Sequence, residues 1–222
     1  MHYENPPSLL IMLKSAGRFL KYELCRIIQN HTHHRVNWFL MKNEILNKLV
    51  LYKHRIVDFF TYKCNLNYEN VRFNPFTNGL MATHKKHSFD KSPLRENYEH
   101  MVQRIGYEAG HKVILEKEIH TEYKKRNTEG TWDDKPFEIA AAETNTAKNI
   151  RNALKHCASK PNCMVAVVLL VNHYSEQTVN EGLRAFNGLK NAKGQWKLFN
   201  EIVFIYKGNI IKKIKPIETS AF

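Results

Sequence analysis

No apolar run in this chain approaches the roughly 18 residues that a membrane-spanning helix needs. The SLLIML run near the N-terminus is too short for a span, and no small-residue cleavage site follows it, so it does not read as a signal peptide. Internal repeats and low-complexity tracts are absent, which excludes a solenoid. None of the four cysteines, Cys25, Cys64, Cys157 and Cys163, lies in a CxxC pair. A redox motif or a cysteine-built zinc site is therefore not expected, and buried thiols in a reducing compartment are. Acidic residues are scarce: 21 of them against 34 Lys and Arg leave a net charge of +13. That excess points to a polyanionic partner, nucleic acid ahead of an anionic membrane surface. The expected location is cytoplasmic, or delivered into a target cell, with no membrane contact.

What is present suits a folded protein of 222 residues, 43% of them hydrophobic. The first third reads as helical. LLIMLKSAGRFLKYELCRII is compatible with an amphipathic helix between Pro7 and Asn30, and Trp38 to Tyr62 brings Leu40, Ile45, Leu49, Ile56 and Phe60 broadly to one side. Between these helices, His31, His33 and His34 offer a weak transition-metal candidate with Cys25 or His54. Residues 1–72 are expected to form a basic helical segment and 73–94 a linker loop, punctuated by Pro75, Gly79 and Pro93. From residue 95 to 216 the elements become regular. Helices are predicted at Arg95–Ala109, Thr146–Ser159 and Glu176–Lys190. Strands are predicted at His111–Ile119, Pro136–Ala142, Met164–Val171, Glu201–Tyr206 and Ile210–Ile214. This order implies an α/β fold around a mixed sheet.

The chemistry concentrates in EGTWDDKPFEIAAAETNTAKNIRN, Glu129 to Asn152. A turn and a short strand carry carboxylates, and the next helix opens on amide, hydroxyl and basic side chains. Carboxylates can hold a cation or activate a nucleophile, and cationic donors can hold a phosphodiester. Thr144, Asn145 and Thr146 stand where a helix start offers free backbone N–H groups, so they are candidates for capping and for anion contact. Lys148 and Arg151 follow three residues apart on that helix and favour phosphate contact. The loop EYKKRN, with Lys124, Lys125 and Arg126, adds a cationic edge suited to tracking a nucleic-acid backbone. Trp132, between the loop and the strand, reads as core packing ahead of base stacking.

From about Asn74 to Ile214 the chain resembles the tRNA-nuclease C-terminal domain of contact-dependent growth-inhibition toxins, with relatives in phage and other mobile-element proteins. The matching stretches are GYEAGHKVILEKE, TEGTWDDKPFEI, ETNTAKNIRNALKHC, MVAVVLLV and VNEGLRAFNGL, closed by EIVFIYKGNII. The resemblance implies a restriction-endonuclease-like (PD-(D/E)xK-type) mixed sheet flanked by helices. It places the turn acid at Glu129 and the strand acid at Glu138. The lysine that such a strand carries two residues later is replaced here by Ala140. Glu143 is a further candidate acid, so the expected metal set is Glu129, Glu138 and Glu143, for a divalent ion, magnesium or manganese ahead of zinc. Glu99 could add a contact. Lys148 or Arg151 could return the missing positive charge. A metal-free route on RNA would need a base, and His84 and His87, set beside Lys85 and Lys86, are candidates for base or phosphate contact.

The function expected on these grounds is cleavage of RNA phosphodiester bonds, tRNA by resemblance, in a toxin-like or mobile-element setting with an immunity protein as a partner. The alternatives are a DNA-acting nuclease on the same fold and a catalytically inactive nucleic-acid-binding or phage-structural module.

Overall fold

The run VAVVLL, residues 165–170, has no polar side chain to show to water on either face, so it belongs in the middle of a sheet covered on both sides. All six residues are buried. The computed structural model describes residues 38–89, 93–117, 128–188 and 199–214. In chain order they form α1 (Trp38–Cys64), β1 (Tyr68–Asn74), β2 (Gly79–His84), α2 (Pro93–Glu108), β3 (Lys112–Leu115), β4 (Gly130–Trp132) and β5 (Lys135–Ala142). Then come α3 (Ala147–Ala158), β6 (Val165–Leu170), α4 (Glu176–Asn187), β7 (Glu201–Tyr206) and β8 (Asn209–Ile214). No helix among the described residues is long and apolar enough to cross a membrane.

The strands make one eight-stranded mixed sheet in sequence order. β2–β3 and β5–β6–β7 run parallel. The other neighbours run antiparallel. Alternation along each strand divides the core in two. On one face, Val102 and Ile105 of α2 pack on Val113, Leu115, Phe137, Val165 and Val203. On the other, Ile150 and Leu154 of α3 and Val179 and Phe186 of α4 pack on Ala166, Val168, Ile202 and Phe204. α1 covers this second face farther along, with Phe59 on Leu80, Ala82 and Ile114. Each such fully buried side chain is worth about 1.5–3 kcal/mol relative to exposure.

Two expectations need correction. The stretch 73–94 is not a simple linker, since it holds the end of β1, all of β2 and the start of α2. β2 is hidden in the sequence because GLMATH mixes a glycine and polar residues into a buried strand. Its Thr83 is tolerated inside because the hydroxyl donates to Gln103 Oε1 at 3.2 Å. The inward face of α1 is also rotated from the predicted one. Phe60 is exposed, whereas Tyr52, Arg55 and Phe59 are buried. The cause is aromatic packing on β1: Tyr52 and Phe59 both meet the ring of Phe73.

Charges tie α1 to the sheet as well. The buried Lys112 of β3 reaches Asp58 of α1 and Asp134, each at 2.7 Å. Its ammonium also lies 5.6 Å from the centre of the Tyr62 ring. Burial opposes the charge, but the two carboxylates outweigh it and hold the pKa above the usual lysine value.

Candidate active site

β4 and β5 are joined by a two-residue turn in which Asp133 and Asp134 both take positive φ, 47° and 65°, the type I′ geometry that matches strand twist. Asp133 is held by Arg55, by His111 Nδ1 and by the backbone N–H of Lys112 at 2.9 Å. Burial would raise its pKa, but the bond to His111, the nearby charges and the Lys112 amide lower it to about 2. This turn sets the register Gly130 opposite Phe137. Gly130 is required because its backbone passes so close to β3 that a Cβ would lie 1.9 Å from the Ile114 carbonyl oxygen. Glu129, immediately before it, donates its N–H to the Phe137 carbonyl at 3.0 Å. The turn acid and the strand acid, Glu138, are thereby made neighbours.

β4 pairs with β5 only as far as Phe137. Where the pairing stops, a cleft of about 530 Å³ opens beside residues 138–141 of β5. Tyr98 and Glu99 of α2 line it from one face of the sheet, and Asn149, Asn152 and His156 of α3, with Lys160, line it from the other. The α3 side follows from helix periodicity. Ile150, Ala153, Leu154 and Cys157 form the buried stripe, which leaves 149, 152, 156 and 160 on the adjoining flank. Thr146 caps the helix, its hydroxyl accepting from Asn149 N–H at 3.2 Å.

Glu138 is the centre of this cleft. It is 1% exposed. Its Oε1 meets Lys160 Nζ at 2.9 Å and His156 Nε2 at 3.0 Å. Its Oε2 is buried and has no hydrogen-bond partner among the described residues. Behind Glu99, the fully buried His87 has its Nε2 2.9 Å from Glu99 Oε2, and its Nδ1 lies 2.7 Å from the Glu116 carbonyl. Burial works against charging this imidazole, but the bonds to Glu99 and to the Glu116 carbonyl prevail and its pKa is raised. Ligand atoms of His87, Glu99 and Glu129 all lie within 4.8 Å of one another.

The structure thus brings Glu129, Glu138 and Glu143 to one cleft. Glu143 is exposed at its rim, about 16 Å along the strand from Glu138 at 3.3 Å per residue, so the two do not share one ion. Lys148 sits at the opposite end of α3 from Lys160, about 18 Å away along the helix. Arg151 bonds Asn152 Oδ1 at 3.2 Å. Asn145 and Thr146 lie at the start of α3, where Asn149 also bonds the Thr144 hydroxyl. His84 ends β2 with its Nδ1 accepting from Lys86 N–H at 3.0 Å, and Lys85 and Lys86 are exposed. Trp132 is fully buried against His111 and Phe137, which leaves it no face for a base. Lys124, Lys125 and Arg126, with His31, His33, His34 and Cys25, lie outside the described residues.

His156 and Lys160 were not singled out from the sequence. The signal was there in their spacing from Asn149 and Asn152. A helix that returns from β5 to start the parallel β6 runs antiparallel to β5, so its C-terminal end comes back beside the first half of that strand.

No family model and no curated protein matches the chain. Among solved structures, a CdiA-CT/CdiI toxin and immunity complex from Burkholderia pseudomallei is similar to it, with a TM-score of 0.43 and 20% sequence identity, covering 58% of this chain and 90% of that chain.

Proposed function

We propose that the chain is a nuclease cleaving RNA phosphodiester bonds, with tRNA as the favoured substrate class, in a toxin-like or mobile-element setting with an immunity protein as partner. The carrying observation is Glu138: a buried carboxylate with one oxygen gripped by Lys160 and His156 and the other left without a partner beside a cleft that also holds Glu99 and Glu129. A buried, half-satisfied acid is costly to keep, and such costs concentrate where chemistry is done. The choice of RNA, the setting and the immunity partner rest on the sequence resemblance and on the charge of +13.

The chain's own groups divide the work. Glu99 and Glu129 are the residues that would hold a divalent ion, and Glu138, with its unsatisfied Oε2, lines the same cleft. When bound there, such an ion would supply polarisation of a phosphoryl oxygen and a lowered pKa for a bound water. Lys160, fixed by Glu138, offsets negative charge growing on the phosphate, the task of the lysine absent from position 140. His156, half-exposed at the cleft mouth, is placed to hold or release a proton at the leaving oxygen. The amides of Asn149 and Asn152 offer hydrogen bonds to phosphate oxygens without reading bases.

The test is incubation of the purified chain with total tRNA and with plasmid DNA, with Mg²⁺, Mn²⁺, Zn²⁺ or EDTA, beside Glu138→Gln. Discrete tRNA fragments lost in the variant support the reading. Cleavage of plasmid alone moves it to DNA. Intact nucleic acid in every lane, with a mobility shift for both proteins, overturns it in favour of a binding module.

A further inference from the structure

α1 is apolar on two sides. Its buried stripe, Tyr52, Arg55 and Phe59, faces the sheet, with the two rings on Phe73. On the other side of the helix Leu46, Val50, Val57 and Phe60 are 47, 54, 58 and 36% exposed. At 3.6 residues per turn these four, with Lys53 and Cys64, fall within an arc of about 80°, across the axis from the buried stripe. Among the described residues, none of the core clusters reaches that arc. Single exposed apolar side chains are ordinary, but these are ordered. Leu46, Val50, Lys53, Val57, Phe60 and Cys64 follow in alternating steps of four and three, the spacing of a seam between two packed helices. Val50 and Val57 take the place that such seams give to β-branched residues. Lys53 can lay its stem along the seam and keep its ammonium in water, and one polar interruption of this kind favours a single register.

The same chain carries a matching seam. Leu10, Leu13, Gly17, Leu20, Leu24 and Ile27 repeat in alternating steps of three and four. A helix would run about 26 Å from Leu10 to Ile27, against about 27 Å from Leu46 to Cys64. Seven residues, 31–37, separate Asn30, where the sequence predicts that helix to end, from the start of α1 at Trp38. That length falls within the roughly two to eight residues that join antiparallel helices. A tether so short acts as a local concentration on the order of millimolar, which neither a second copy nor a foreign helix matches in dilute solution. We propose that residues 9–28, which lie outside the described residues, dock as an antiparallel helix along the outer stripe of α1. The proposal is independent of the nuclease reading, since no residue of the stripe lines the Glu138 cleft.

The experiment attaches a benzophenone to the full chain at Val50→Cys, with Cys25→Ser and Cys64→Ser removing the other reactive thiols. Cys157 and Cys163 are buried and stay unlabelled. After irradiation in dilute solution, peptide mass should find the adduct within residues 9–28 of the same chain. Leu13→Glu with Leu20→Glu, checked for native circular dichroism, should cut that adduct by about tenfold or more, because an apolar seam does not keep unpaired carboxylates. Lys14→Glu with Arg18→Glu, on the flank of the seam, should leave it in place. The same probe at Glu181→Cys, on the exposed side of α4, should give no adduct with residues 9–28. Four results overturn the proposal: no adduct with residues 9–28, an adduct that survives the leucine pair of substitutions, equal adducts from the two probe positions, or adducts only between two chains that grow with protein concentration. The last would assign the stripe to a second copy.

Discussion

Lys160 Nζ and His156 Nε2 lie 2.9 and 3.0 Å from the same oxygen of Glu138. On the proposed nuclease reading, the positive charge absent from the strand at Ala140 comes from Lys160, just past the end of a helix. Lys160→Met is expected to reduce cleavage by roughly 100- to 1,000-fold while tRNA binding persists. Lys148→Ala, at the far end of α3, should leave the cleavage rate of bound tRNA unchanged and lower the salt slope of binding by about one. Single-turnover cleavage and salt-titrated binding read the two effects, and equal rate losses in both variants would contradict the assignment.

Acid should loosen the β4–β5 turn. The pKa of Asp133 is lowered to about 2 from the usual 3.8, so the folded state binds its proton less readily than the unfolded chain does. Its stabilisation is complete above about pH 4 and is lost as the pH falls toward 2. The carboxylate is about a third exposed, and with solvent screening we expect about 1 kcal/mol. Urea melts of wild type and Asp133→Asn should therefore differ at pH 6 and converge near pH 2.

Gly130 is a packing constraint with a consequence for the site. Gly130→Ala would drive a Cβ into the Ile114 carbonyl, and the strands must part to relieve it. A loss of about 3 kcal/mol is expected in urea unfolding. Activity should fall even at temperatures where the variant stays folded, because Glu129 moves with its strand.

Thiol chemistry should separate the cysteines. Cys157 and Cys163 are buried and Cys64 is exposed. Burial pushes Cys163 up to about 12 and Cys157 well above its ordinary value, so neither supplies thiolate at neutral pH. A disulfide reagent should label Cys64 in the native protein and reach Cys157 and Cys163 only when urea unfolds the chain. Native labelling of Cys163, read by peptide mass, would contradict this.

The parts of the fold that were legible are those in which burial writes a pattern. VAVVLL and EIVFIY have nothing polar to expose, and α3 and α4 carry amphipathic stripes with Thr146 and Ser175 as caps. β1, β2 and β4 were hidden for different reasons. β1 is polar and edge-exposed, β2 satisfies its buried threonine through Gln103, and β4 is only three residues long. At the candidate site, the acids Glu129 and Glu138 were legible because a turn and a strand announce themselves locally. Lys160 was not, because its partner is 22 positions away in sequence and only the return of α3 along β5 brings them together. The His87–Glu99 pair depends likewise on a turn after β2 meeting α2.

The ion pairs of Lys112 bear on how this domain could be cut or borrowed. Asp58 of α1 supplies one of its two carboxylates, and Phe59 shields Leu80, Ala82 and Ile114. A fragment trimmed to start at Tyr68 would wet that face and leave an inward lysine with one rim carboxylate. Such a fragment is expected to aggregate or to purify poorly, even with every residue of the Glu138 cleft present. Fusions, chimeras and expression screens should therefore treat α1 as part of the smallest transferable unit, although none of its described side chains lines the Glu138 cleft.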